Sequence, residues 1–265
     1  MNRKISLVLG SGGARGLTQI GVINYLLEHN YEIDEIIGCS IGSLIGAAFA
    51  NGKIEALGSW MSDLTKMEVF RLMDFCNPKY GVLKGNRVLN TLQGVFPDIN
   101  IENLPIRYVA VATDLVNDEE VIFDKGSIYD AIRASIAIPA IFQGVKTDER
   151  LLVDGGVLNP LPTNLVSHSD NIIIAVNLEG NPLREDNPGV VNMTSVEILQ
   201  ESYRAMRRKL TQLSIELYPA DYLLNIPHDV SGIWDFDQSS KLIQIGYEWA
   251  AKTLTTPLKK KEVIR

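Results

Sequence analysis

Three short apolar segments of this chain each run straight into a turn made of glycine and other small residues. Nothing else in the sequence constrains the fold as strongly. Ile5-Ser6-Leu7-Val8-Leu9 enters Gly10-Ser11-Gly12-Gly13-Ala14-Arg15-Gly16, and Ile36-Ile37 enters Gly38-Cys39-Ser40-Ile41-Gly42. Leu151-Leu152-Val153 enters Asp154-Gly155-Gly156. Apolar runs of this length bounded by turn residues read as buried strands. After the first turn, Leu17, Ile20, Val22, Ile23, Leu26 and Leu27 recur at helical spacing, and after the second, residues 43–50 are small and helix-compatible. A strand, a glycine turn and a helix gather backbone N–H groups at a helix N-terminus, a place that favours negative charge.

The same alternation continues along the chain. Strands are expected at 5–9, 35–39, 106–112, 120–124, 150–153 and 171–178. Helices are expected at 16–29, 41–51, 54–66, 86–95, 127–136, 194–216 and 238–254. Such alternation gives an α/β fold with a mainly parallel sheet covered on both faces. With 265 residues and 46% hydrophobic content, residues 1–265 are expected to form one domain with a well-buried core. Segment 67–86 is irregular and apolar, and reads either as a flap over a site or as an ordinary packed loop. Segment 181–193, rich in Asn, Pro and charge, reads as an exposed loop.

Ser40 stands at the centre of a G-x-S-x-G pentapeptide in strand–turn–helix context. That is the setting of a nucleophile elbow, in which a sharp turn lifts the serine oxygen clear of the backbone. The competing reading is a tight turn that only needs small residues. The 10–16 turn lacks the G-x-G-x-x-G spacing of a dinucleotide loop, since position 15 is arginine, and no Gly-Lys-Ser/Thr is present for a nucleotide-triphosphate loop. An oxyanion hole remains, with the amides of Gly12, Gly13 and Ala14 as donors, each worth about 3–4 kcal/mol of barrier. Arg15 reads either as a structural partner for a carboxylate, which is favoured, or as a draw for an anionic headgroup.

Asp154 ends an apolar strand and is followed by two glycines that let other groups approach. A common Asp-Gly turn would look the same in isolation. Of the three histidines, His29 ends a helix and His168 lies in a polar stretch. His228 follows Asp154 in the chain order of a Ser–Asp–His triad and stays a rival base. Asp154 is the better partner for Ser40, as a carboxylate that accepts the hydroxyl proton directly from a partly desolvated position.

These motifs resemble those of the patatin-like phospholipase family. The matching pieces are the 10–16 turn, Gly38-Cys39-Ser40-Ile41-Gly42 and Asp154-Gly155-Gly156, in the family's order. Ala134-Ser135-Ile136-Ala137-Ile138-Pro139 is similar to a further family segment, and Trp234-Asp235-Phe236 and Ile245-Gly246-Tyr247 are similar to the bacterial branch related to neuropathy target esterase. The resemblance implies a three-layer α/β/α fold, a catalytic Ser40/Asp154 dyad and an oxyanion hole at Gly12, Gly13 and Ala14. Gly10, Arg15, Gly16, Gly38, Gly42, Gly155 and Gly156 support the motifs. It also implies hydrolysis of acyl esters, often of lysophospholipids, without metal or other cofactor. A lipid-binding protein that keeps the fold and does little chemistry is the contrasting reading.

A formal net charge of −7 argues against nucleic-acid partners. The basic run Arg204, Arg207, Arg208 and Lys209 reads as a solvated helix face ahead of a surface for anionic headgroups, and the same holds for Lys259-Lys260-Lys261. Cys39 and Cys76 form no disulfide pattern, which fits a reducing cytoplasm. The apolar run after Met1 is too short for a signal peptide, and no stretch of 18 apolar residues is present. Contact with a membrane is expected to be peripheral, at its inner face, with a lipid or acyl ester as substrate.

Overall fold

The computed structural model describes residues 3–75, 83–168, 170–183 and 193–255. Its centre is one sheet made of Arg3–Leu9 (β1), Tyr31–Cys39 (β2), Arg107–Asp114 (β3), Glu119–Phe123 (β4), Val145–Lys146 (β5), Leu151–Asp154 (β6), Ile172–Gly180 (β7) and Tyr222–Pro227 (β8). The order is β5-β6-β3-β2-β1-β7-β8, with β4 on β3. From β3 to β8 the neighbours run parallel, while β4 and β6 meet β3 antiparallel and β5 meets β6 antiparallel. This is the mainly parallel α/β sheet that the alternating pattern predicts.

The helices are Leu17–Glu28 (α1), Ile41–Ala50 (α2), Ile54–Ser62 (α3), Lys66–Leu72 (α4), Asn86–Leu92 (α5), Ile128–Ser135 (α6), Ser195–Leu217 (α7) and Ser239–Leu254 (α8). Side chains alternate across a strand, so the sheet feeds two cores. Ile5, Leu7 and Leu9 of β1, with Ile174, Val176 and Leu178 of β7, join the larger core under α1, α2, α3, α5, α6 and α8. Val8, Ile37, Val109 and Ala175 point the other way, where Leu161, Leu165, Val166 and Ile215 of α7 cover them. Helices α1 and α8 cross with their backbones in contact. A Cβ on Gly21 would stand 1.8 Å from Ile243 O, and one on Gly246 1.8 Å from Thr18 O, so no larger residue fits either position.

Three elements differ from expectation. The helix expected at 54–66 breaks, because Thr65 starts α4 with a capping box: Glu68 Oε2 accepts from Thr65 N (2.8 Å) and Thr65 Oγ1 from Glu68 N (3.3 Å). Strand β8 was not expected. Its run Tyr222-Leu223-Leu224-Asn225-Ile226-Pro227 carries two strand-poor residues, and an Asn177/Asn225 side-chain bond of 2.8 Å helps hold it on β7. Strand β5 has two residues, too few for a periodic signal. Part of the 67–86 segment (76–82, with Cys76), most of the 181–193 loop (184–192) and Lys259-Lys260-Lys261 lie outside the described residues.

Candidate active site

Ser40 joins the end of β2 to the start of α2 with φ 56° and ψ −124°. Non-glycine residues held in such sparsely populated backbone regions cost about 1–3 kcal/mol and persist only where the surroundings fix them. The surroundings here are tight. A Cβ on Gly38 would lie 2.4 Å from Gly42 O, and one on Gly42 2.2 Å from Leu9 O. Ser40 N donates to Ser135 Oγ (2.9 Å), and Ser43 N and Oγ donate to Ser40 O (2.9 and 2.6 Å).

Sheet register brings Asp154 to this serine. Strand β2 pairs with β3 as far as Cys39 opposite Val111, while β4 occupies the other edge of β3. One residue on, Ala112 faces Asp154 of β6. Strand β6 therefore continues the slot that β2 vacates, and its last residue meets the residue after the last of β2. Ser40 Oγ donates to Asp154 Oδ2 at 2.5 Å, and Gly156 N donates to Oδ1 at 2.7 Å. The segment 134–139 ties the two together, since Ser135 Oγ holds Ser40 N and Ala137 O accepts from Asp154 N (2.9 Å). Burial pushes the Asp154 carboxyl above its ordinary range, against the opposing pull of the Ser40 bond, the Arg207 charge and the Gly156 amide.

The 10–16 turn borders the same place. Gly10 N donates to Val176 O and Ser11 N to Pro160 O, both at 3.0 Å. Ala14, expected as a third oxyanion donor, gives its amide to Ile233 O at 3.0 Å instead. The amides of Gly12 and Gly13 have no protein acceptor among the described residues, and Gly13 lines a cleft together with Ser40.

Arg15 turns inward. Its guanidinium donates to Gly12 O and His228 O (both 3.1 Å) and lies 3.4 Å from Glu179 Oε1. Arg207, expected on a solvated face, is also turned in. Its side chain is 12% exposed, with Nη2 3.0 Å from Glu179 Oε1 and 3.0 Å from Ser11 Oγ. The available signal was a stripe at helical spacing, Tyr203, Arg207, Thr211 and Ser214. It is polar, so a search for apolar faces passes over it.

The histidines stand elsewhere. His29 Nδ1 is 2.9 Å from Tyr25 O, and His168 Nδ1 is 3.3 Å from Asp34, six residues before Ser40 on β2 and so about 20 Å away along the strand. His228 Nδ1 is 2.9 Å from Gly180 O. The direct bond from Ser40 to Asp154 leaves no imidazole between them.

The cleft opening onto Ser40 encloses about 790 Å³, part of it open to solvent, and its walls are apolar. Ile41, Leu44, Trp60, Leu72, Phe142 and Trp234 are among its lining. At α4, Val69 and Leu72 line the cleft while Met67 and Phe70 are more than half exposed, as is Phe75 just beyond.

A mainly parallel sheet whose strand ends bring a serine and an aspartate together beside an apolar cleft defines an α/β protein with a serine-centred candidate site. Residues 7–166 match the family model described as patatin-like phospholipase, and the chain belongs to that family. It is 40% identical over 191 residues to an NTE family protein of Mycobacterium tuberculosis, covering 71% of this chain and 53% of that one. It is 31% identical over 182 residues to patatin-like phospholipase domain-containing protein 7 of Rattus norvegicus, covering 66% of this chain and 13% of that one. The chain thus spans about half the length of the mycobacterial relative and far less of the rat one. In fold it is similar to VipD from Legionella pneumophila, with a TM-score of 0.51 at 13% identity over 96% of this chain and 67% of that one. Family membership supports lipid ester hydrolysis. Among the described residues no helix is long and apolar enough to cross a membrane.

Proposed function

We propose that this protein is a serine esterase that hydrolyses acyl esters of lysophospholipids or related lipids through a Ser40/Asp154 dyad. The observation that carries the reading is the 2.5 Å bond from Ser40 Oγ to Asp154 Oδ2, with Ser40 on the lining of an apolar cleft. Asp154 takes the hydroxyl proton as Ser40 Oγ attacks the ester carbonyl. The nucleophile-elbow backbone of Ser40 presents its oxygen to the substrate. The oxyanion is held by the amides of Gly12 and Gly13, which are free to donate. Collapse expels the alcohol, which leaves with the proton from Asp154, and an acyl-enzyme remains. Water then gives a proton to Asp154 and attacks the acyl carbon. The second collapse returns that proton to Ser40 Oγ and releases the fatty acid.

The apolar walls of the cleft suit an acyl chain. Each buried methylene contributes about 0.8 kcal/mol, so KM is expected to fall with chain length until the cleft is full. The exposed Met67, Phe70 and Phe75 at its lip suit peripheral contact with a lipid surface, in keeping with a cytoplasmic enzyme that works at the inner face of a membrane.

Intact mass after exposure to a fluorophosphonate tests the reading. One adduct is expected on the parent protein and none on Ser40→Ala, with turnover of acyl esters lost in the same variant. A folded parent that takes no adduct and turns over no ester would defeat it, and ligand binding without chemistry would then be the better account.

A further inference from the structure

Arg207 and Glu179 both lie outside the stretch that matches the family model, yet Arg207 reaches the surroundings of Asp154 with Glu179 as its partner. The point that a Cβ on Gly156 would occupy is 2.9 Å from Asp154 Oδ1, 3.1 Å from Ser11 Oγ and 3.4 Å from Arg207 Nε. The carboxylate and the guanidinium thus flank one absent side chain. Arg207 Nε is buried and donates to nothing among the described residues. On its other side Arg207 shares Glu179 Oε1 with Arg15, at 3.0 and 3.4 Å. Two buried arginines on one carboxylate leave one positive charge uncompensated within the cluster.

We infer that Arg207 is a positioning residue for Asp154: from α7 it supplies the positive charge that keeps this buried aspartate in its proton-accepting form. The inference rests on the esterase reading. Burial alone favours the protonated carboxyl, which cannot take the proton of Ser40. A nearby cation opposes burial, and the low dielectric of the interior strengthens its effect. The other groups around the aspartate do not supply that charge. Cys39 at the end of β2 is held as a neutral thiol by burial and by Asp154 itself, and Glu120 of β4 adds to that effect. Tyr203 of α7 is held as a neutral phenol by burial and by Asp154. Arg207 is the cation acting on Asp154 among the described residues. Glu179 at the end of β7 acts in turn on Arg207 and draws on its charge. A purely mechanical anchor for α7 would not need a cation here, since apolar residues often replace buried ion pairs with no loss of stability.

The test is the pH profile of kcat/KM on a short, soluble acyl ester, with a thermal melt of every variant. The acid limb of the parent is first assigned by its absence from the residual turnover of Asp154→Asn. In Arg207→Gln, kcat/KM at pH 6 is expected to fall at least about tenfold, with the loss recovering as pH rises toward 9. Arg207→Lys is expected to keep the parental limb. Glu179→Gln, which leaves the charge of Arg207 undivided, is expected to move the limb to lower pH. Opposite signs at Arg207 and Glu179 are not an outcome of mere loosening. A folded Arg207→Gln with the parental limb, or with the same loss at every pH, overturns the inference. If Arg207→Gln does not fold, Glu179→Gln decides: a limb moved down supports the inference, and an unmoved limb overturns it. A parent with no Ser40-dependent turnover would instead defeat the esterase reading itself.

Discussion

Glu35 and Asp154 are two carboxylates sealed from solvent, 0% and 1% exposed, at opposite ends of the same sheet. Glu35 is saturated with donors. It accepts from Ser6 Oγ (2.6 Å), Ser167 N (2.9 Å), Ser167 Oγ (2.8 Å) and His168 N (3.3 Å), and it pairs with Arg107. Burial pushes its carboxyl up, but the bonds from Ser6 and Ser167 and the Arg107 charge outweigh that and leave it below the ordinary range. Asp154 has two donors, Ser40 Oγ and Gly156 N, and burial prevails. Depth alone therefore says little about a buried acid. The supply of donors separates one that only holds strands and loops together from one that can still accept a proton.

Turnover should split the pair most widely. Asp154→Asn is expected to lower kcat by about 10²–10⁴-fold, the usual worth of a general base, in an initial-rate assay on a soluble ester. Glu35→Gln should stay within a few-fold of the parent. Comparable losses in both would dissolve the contrast.

Stability should split them the other way. Glu35→Gln strands a partly exposed Arg107 and weakens several bonds, which is expected to cost about 2 kcal/mol at pH 7 in denaturant unfolding. The Glu35 carboxyl sits below its ordinary range when folded. Its stabilisation is thus present above that range and lost as pH falls through the folded value. The gap between parent and Glu35→Gln should close on acidification.

Asp154 has the opposite sign. Its folded carboxyl lies above the ordinary range, so stability declines as pH rises from that range through the folded value. Asp154→Asn removes this penalty, and its Tm at pH 7 should match or exceed that of the parent. A clear fall in Tm would mean that the carboxylate is structural after all. The smallest effect is expected at the serine itself. Ser40→Gly should relieve the positive φ and gain about 1 kcal/mol, while abolishing adduct formation with a fluorophosphonate.

Local features of this contrast were legible in the sequence, and features made by register were not. The three glycine turns announced themselves because each is a contiguous apolar run ending in small residues. That β6 would fill the slot left by β2 depends on where two strands stop against a third, which no window of sequence encodes. The fate of the Ala14 amide was hidden for the same reason, since its acceptor, Ile233, lies far along the chain. Arg207 was hidden by composition. It sits in a run with Arg204, Arg208 and Lys209, and only its place on a polar buried stripe with Tyr203 and Thr211 sets it apart. The donors that saturate Glu35 come from β1 and from residues 167–168, so its role too emerges only once the sheet is assembled.

The close backbone approach of α1 and α8 at Gly21 and Gly246 has a consequence for synthesis. A ribosome delivers the serine turn early, yet the helix that follows the glycine turn stays uncovered until α8 has been made. Ile233, which holds the Ala14 amide, and Arg207 also come late. A half-made chain therefore carries Ser40 without the segments that complete its surroundings.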